Sequence, residues 1–219
     1  MTKSRLKQLR LILPGVIVLI YLVIFDQFTF EHLFSIPESF KTNSKFLYLL
    51  YFILAIIVGT IYHILKIRHF LWDNYLPLIQ QNIRERLLKI SGNELNFENL
   101  EVFKSWKNIK DVFYYHVDND PSLQDKANSV RFNGLIWTTI MDIAIISFMV
   151  SMILFSAGLW SSNTDIIIEA YIPLTVCIIC LFLIGPVTKS HIEESNKQLN
   201  YMELHLKKEI TTKINEILQ

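Results

Sequence analysis

Charge is scarce in this sequence, and the little there is sits unevenly. Only 19% of the 219 residues are Asp, Glu, Lys or Arg, against 52% hydrophobic, which is too few to clothe an ordinary soluble domain. Two cysteines exclude a disulfide scaffold. Six glycines and six prolines exclude a fibrous or low-complexity chain. A net charge of +1 gives no overall attraction to nucleic acid, so direct nucleic-acid binding is not expected. The sequence has no glycine-rich phosphate loop, no GxSxG elbow and no HExxH pair. It therefore offers no catalytic, cofactor-binding or metal-binding set, and an enzyme is not expected.

What the sequence does have is apolar blocks. A bilayer core of about 30 Å needs about 20 apolar residues as helix. Four stretches meet or approach that length: Leu9 to Phe25, Phe46 to Leu65, a third between Arg131 and Asp165 broken only by Asp142, and Ala170 to Thr188. The first is short in uncharged residues, and the stems of Lys7 and Arg10 lengthen it by snorkelling. No small-residue cleavage site follows it, so it reads as an uncleaved anchor. The expectation is an all-α polytopic membrane protein with four transmembrane helices. Residues 1–65 form spans one and two, 66–133 a helical insert, 134–188 spans three and four, and 189–219 a tail helix.

Basic residues set the orientation. Residues 1–10 carry four Lys or Arg, 26–45 two, 66–133 ten, 161–169 none and 189–219 five. The positive-inside rule then places both termini and the helical insert in the cytoplasm of a bacterial inner membrane. Within the insert, Ile79, Ile83, Leu87 and Ile90 mark one face of a helix after Pro77. A second helix is expected over Phe97 to about Val117, with an apolar face of Leu100, Phe103, Trp106, Ile109 and Phe113. Asp120 is placed to cap a helix with Pro121 in its first turn, and that helix runs on into span three. In the tail, Leu199, Met202, Leu206, Ile210, Ile214 and Ile217 recur at three- and four-residue steps. These faces pack on one another within a protomer, or the tail also pairs between protomers.

Asp142 is the most informative residue. Trp137 and Trp160 lie about 35 Å apart along a helix, which suits two aromatic belts and puts Asp142 roughly 7 Å inside the inner one. An acid at that depth faces protein or water and marks a functional position. Thr138 and Ser156 share its side of the helix with Ile145, Ile146 and Met149. Ala144, Ser147, Ser151 and Gly158 make a small-residue stripe on nearly the opposite side, while Ala55 and Gly59 form a similar packing pair on span two. Two demanding faces on span three suggest a homo-oligomer, with a tetramer favoured. His63 lies at a depth close to that of Asp142, and a His63–Asp142 hydrogen bond would create a pH- or field-sensitive site. Cys177 and Cys180 have redox spacing but stand mid-span, where packing is their expected use. Arg84, Arg86 and Lys89, then Lys104, Lys107 and Lys110, form basic stripes facing solvent, lipid headgroups or a protein partner.

This layout, four short spans with a helical insert between spans two and three and a helical tail, resembles the small membrane subunits of bacterial anti-phage systems of the Kiwa type. The resemblance implies a protein that senses membrane disturbance, recruits a cytoplasmic effector or depolarises the membrane. Three classes follow: an oligomeric sensor or scaffold; a pore or ion channel, in which Asp142, Thr138 and Ser156 line a narrow path; and an intramembrane enzyme, for which only His63 could assist Asp142.

Overall fold

The computed structural model describes residues 3–25, 44–93 and 106–218, with the backbone alone at 3–4, 44–48, 50–51, 106–108 and 218. Apart from the short breaks between helices those residues are helical, with no strand among them. The helices are α1 (Lys3–Phe25), α2 (Ser44–Ile64), α3 (His69–Ser91), α4 (Trp106–Asn119), α5 (Pro121–Ser161), α6 (Thr164–His205) and α7 (Lys207–Leu218). Three are long and apolar enough to cross a membrane: α1, α5 and α6. The pair α2 and α3 makes a fourth candidate if the two count as one broken span.

Local chemistry explains where the helices stop. Lys66 adopts φ 52°, and the Lys66 and Ile67 amides donate back to the His63 and Tyr62 carbonyls, which is a Schellman closure with a non-glycine residue in the left-handed position. Ser162 ends α5 in the same way, at φ 52°, with Asn163 N–H donating to the Gly158 carbonyl. The Asn163 side chain then accepts the Asp165 amide and starts α6. Asp120 caps α5 as expected, its carboxylate accepting the Ser122 and Leu123 amides. From Pro121 the helix continues for 41 residues, running on through the segment expected as span three. Likewise α6 joins span four to the first part of the tail, with Pro173 and Pro186 inside it. The tail bends at Leu206, although Met202 and Leu206 still accept helical hydrogen bonds through the bend. Pro77 does not begin a helix, because α3 starts earlier, at His69. Residues 97–105, with Leu100 and Phe103, lie outside the described residues, and α4 begins at Trp106.

The chain divides into two compact units. One comprises Thr2–Trp72 and Leu135–Gly185. Its core gathers Ile17, Tyr21, Phe25, Tyr62, Ile146, Leu154, Ile166 and Ala170. Ala55 and Gly59 on α2 pack against Gly15 on α1 so closely that a Cβ on Gly15 would run into the Ala55 carbonyl oxygen. The small-residue stripe of α5 is used in the same unit. Ser147 Oγ meets Tyr21 Oη at 2.6 Å, and Ser151 Oγ donates to the Ala170 carbonyl at 2.9 Å. Gly158 lies against Ile167, and Cys177 and Cys180 are buried free thiols. Trp137 is not a belt residue: it is buried, its ring 5.0 Å from that of Trp72, whereas Trp160 is exposed. The small-residue face of α5 is thus occupied by the chain itself, whereas Met149 and Ser156, expected on the Asp142 side, are exposed.

The other unit comprises Asp73–Gly134 and Pro186–Gln219. Ile79, Ile83, Leu87 and Ile90 of α3 are buried, as are Ile109 and Phe113 of α4, Leu199 and Met202 of α6, and Ile210 and Ile214 of α7. Amide pairs tie the layers: Asn82 to Asn196 at 2.9 Å and Asn93 to Asn215 at 2.7 Å. His116 on α4 is buried facing Glu209 of α7 at 3.8 Å, and the Lys213 ammonium lies over the neighbouring Tyr115 ring. Burial pushes the His116 pKa below its ordinary 6.5 and Lys213 pushes the same way, with Glu209 and Asp120 opposing.

Three expectations follow. Gly15→Ala should lower the thermal stability of the detergent-solubilised protein by about 1–3 kcal/mol, because the added methyl prises α1 from α2. Gly185→Ala, where nothing lies within 4 Å of the new carbon, should instead raise it by about 0.5–1 kcal/mol. For His116, the unfolded chain takes up a proton at a higher pH than the folded one. Its contribution is complete above the unfolded value of 6.5 and is lost as pH falls below that towards the lowered folded pKa. Melting curves of His116→Gln should therefore show a weaker loss of stability on acidification below pH 6.5 than the parent.

Candidate functional site

Asp142 is fully buried in α5, and the chain supplies its neutralising partners. Arg68, in the four-residue break between α2 and α3, binds it in bidentate fashion: Nε donates to Oδ1 at 2.7 Å and Nη2 to Oδ2 at 2.6 Å. Tyr62, on the last turns of α2, adds its hydroxyl to Oδ1 at 2.9 Å. An arginine fork matches the planar carboxylate, and a charge-assisted pair of this geometry is what a low-dielectric site requires. The same Nη2 also donates to the Arg10 carbonyl of α1 at 2.9 Å. That carbonyl needs an outside donor because the residue four positions on is Pro14, which has no N–H. One guanidinium thus joins α1, the end of α2 and α5.

The structure sorts the expected site residues. Tyr62, not His63, holds Asp142. One residue turns a helix by roughly 100°, so Tyr62 takes the buried face and His63 is exposed. The expected His63–Asp142 bond is therefore corrected to a Tyr62–Asp142 bond. Thr138 is buried one turn before Asp142 and donates to the Leu135 carbonyl at 3.0 Å. Ser156 is exposed, its hydroxyl spent on the Met152 carbonyl, and it is not brought to Asp142. Ala55, Gly59, Ala144, Ser147, Ser151 and Gly158 are buried in helix contacts. Of the basic stripes, Arg86 is turned inward, bonding Asn200 and, at 3.2 Å, Glu203, so it does not belong to an outward stripe. Lys89 and Lys110 are exposed and Arg84 is half-buried. The Lys107 side chain and all of Lys104 lie outside the described residues.

Sequence reasoning missed Arg68 and Arg10. Arg68 was legible only as one of the basic residues counted for orientation. The signal that could have found it is Pro14, which frees a carbonyl one turn back at the basic end of α1. Among the described residues, no three His, Cys, Asp or Glu side chains converge as metal ligands. In front of Arg68 the unit opens into a pocket of about 500 Å³. Its cations are Lys7, Arg10, Lys66 and Arg68, joined by the imidazoles of His63 and His69, with Trp72 and Leu11 as apolar wall. No acid lines it among the described residues.

The chain matches no known protein family, no curated protein and no solved structure.

Asp142→Asn should cost about 3–5 kcal/mol in thermal or denaturant unfolding, since it leaves Arg68 buried without its counter-charge. The double variant Arg68→Met, Asp142→Leu should be more stable than Asp142→Asn, because the desolvation penalty disappears with the charges. His63→Asn should change stability little.

Proposed function

We propose that the chain is an oligomeric integral membrane sensor or scaffold that couples the bilayer to a cytoplasmic partner. The observation that carries this reading is the closed Asp142–Arg68–Tyr62 cluster. A carboxylate that lines an ion path must exchange partners with passing ions or water. One held by a bidentate guanidinium and a phenol braces helices instead. The exposed Lys89 and Lys110 give the helical unit a basic surface for an anionic partner or headgroups. The charge distribution favours both termini in the cytoplasm of a bacterial inner membrane, and the layout suggests phage defence as the setting.

The competing reading is a pore-forming or channel effector that depolarises the membrane. Ion flux from liposomes containing the wild type or Asp142→Asn separates the two. The scaffold reading expects no flux from either form, together with an assembly larger than one chain by native mass spectrometry. Selective flux in the wild type that Asp142→Asn abolishes would overturn it in favour of the pore.

A further inference from the structure

The tail helix α7 is the shortest of the described helices, and its hold on the unit depends on docking. An isolated helix of 12 residues is marginal in water, so α7 stays helical while it is seated on its neighbours. Ile210 and Ile214 supply its buried apolar face. Its polar ties include Asn215 with Asn93 beyond the end of α3, at 2.7 Å, and Lys213 over the Tyr115 ring of α4, at 3.1 Å. Glu209 faces His116 of α4 at 3.8 Å. The bend at Leu206 gives a point at which α7 can leave without unwinding α6.

His116 is the strained member of this seat. Its side chain is buried, Nδ1 is turned to Glu209, and Nε2 has no hydrogen-bond partner. A neutral imidazole bears that at modest cost, since one weak polar group goes unmet. A protonated imidazole carries N–H on both nitrogens, and the one at Nε2 then stands charged without an acceptor. The surrounding charges do not relieve it. Glu209 of α7 is 66% exposed and beyond hydrogen-bond distance, so water screens it. Asp120, at the start of α5, spends its carboxylate on the Ser122 and Leu123 amides. Burial, and after it Lys213 of α7, hold the His116 pKa below its ordinary 6.5 against the pull of Glu209 and Asp120. Protonated His116 needs water at Nε2, and parting α4 from α7 admits it.

We infer that His116 is an acid-operated latch: neutral, it keeps α7 seated against α4, and protonated, it releases α7 at the Leu206 bend and bares Ile210 and Ile214. This goes beyond the sensor or scaffold reading and stands whether or not a partner binds. It gives the helical unit a response to the pH of the compartment it faces, which changes when protons cross a breached bilayer. In the released form His116 takes up its proton near 6.5, and in the seated form only at lower pH. Seating is therefore firmest above pH 6.5 and is lost as the pH falls below it.

The test is amide hydrogen exchange, read by mass spectrometry, on the full-length protein in nanodiscs at pH 7.5 and 5.5, with rates corrected for the intrinsic effect of pH. Where seated His116 stays neutral across that interval, the release constant rises by about tenfold. Protection over Lys207–Leu218 should fall by that factor, while protection over residues 79–87 of α3 should hold. His116→Gln has no proton to gain, and its α7 should change by less than about twofold. Glu209→Gln lies at an exposed position and folds whatever becomes of His116→Gln; its α7 should respond to acid at least as strongly as the wild type. Protection of α7 that is the same at both pH values would overturn the latch, as would an acid response that His116→Gln retains. Loss of protection over α3 and α7 together would overturn it in favour of general unfolding. An acid response that Glu209→Gln abolishes would overturn it in favour of the carboxylate.

Discussion

A carboxylate removed from water must be compensated, and the unit that contains Asp142 is arranged around that requirement. The cost of leaving such a charge alone is several kcal/mol, comparable to the whole stability of a small domain. Arg68 meets it with two hydrogen bonds and Tyr62 with a third. Because Arg68 stands outside any helix, in the break after α2, the chain can turn the guanidinium to suit the carboxylate plane. The same placement lets its remaining donor reach the Arg10 carbonyl. Pro14 therefore has a positive role: by withholding an N–H it leaves an acceptor on α1 that only a side chain from elsewhere can satisfy.

Close approach of backbones is the second constraint, and it makes the first possible. Gly15 against Ala55 and Gly59 lets α1 and α2 touch almost backbone to backbone. The same two helices are the ones that Arg68 bridges, from the end of α2 to the Arg10 carbonyl on α1. Ser147 and Ser151 do related work on the other side of α5, filling little volume and using their hydroxyls on Tyr21 and the Ala170 carbonyl. Small residues here set distances, and polar groups then fix the register.

Much of this was legible in the sequence. The long apolar runs, the Asp120 cap, the buried faces of α3 and the tail, and the Ala55–Gly59 pair each follow from a local rule, and the structure places them so. What the sequence withheld were partnerships across long separations. Asp142 announced itself by being an acid in an apolar run, but nothing local distinguishes Tyr62 from His63 as its partner, since one residue of helix rotation decides it. Arg68 lies 74 positions away, in a break whose closure by a left-handed lysine carries no glycine signal. Trp137 misled for a related reason. An aromatic near a span end suits a membrane interface, and only the approach of Trp72 turns it inward.

The order of these residues along the chain has a consequence for how the molecule is made. Tyr62 and Arg68 both precede Asp142, and so does the Arg10 carbonyl that steadies the arginine. In a chain synthesised and inserted from its N-terminus, the donors exist and their helices can pair before the acid leaves the ribosome. Asp142 then enters an environment that already contains its counter-charge. Had the order been reversed, an arginine and not an acid would have been the late arrival, and a lone carboxylate would have had to wait in the hydrocarbon.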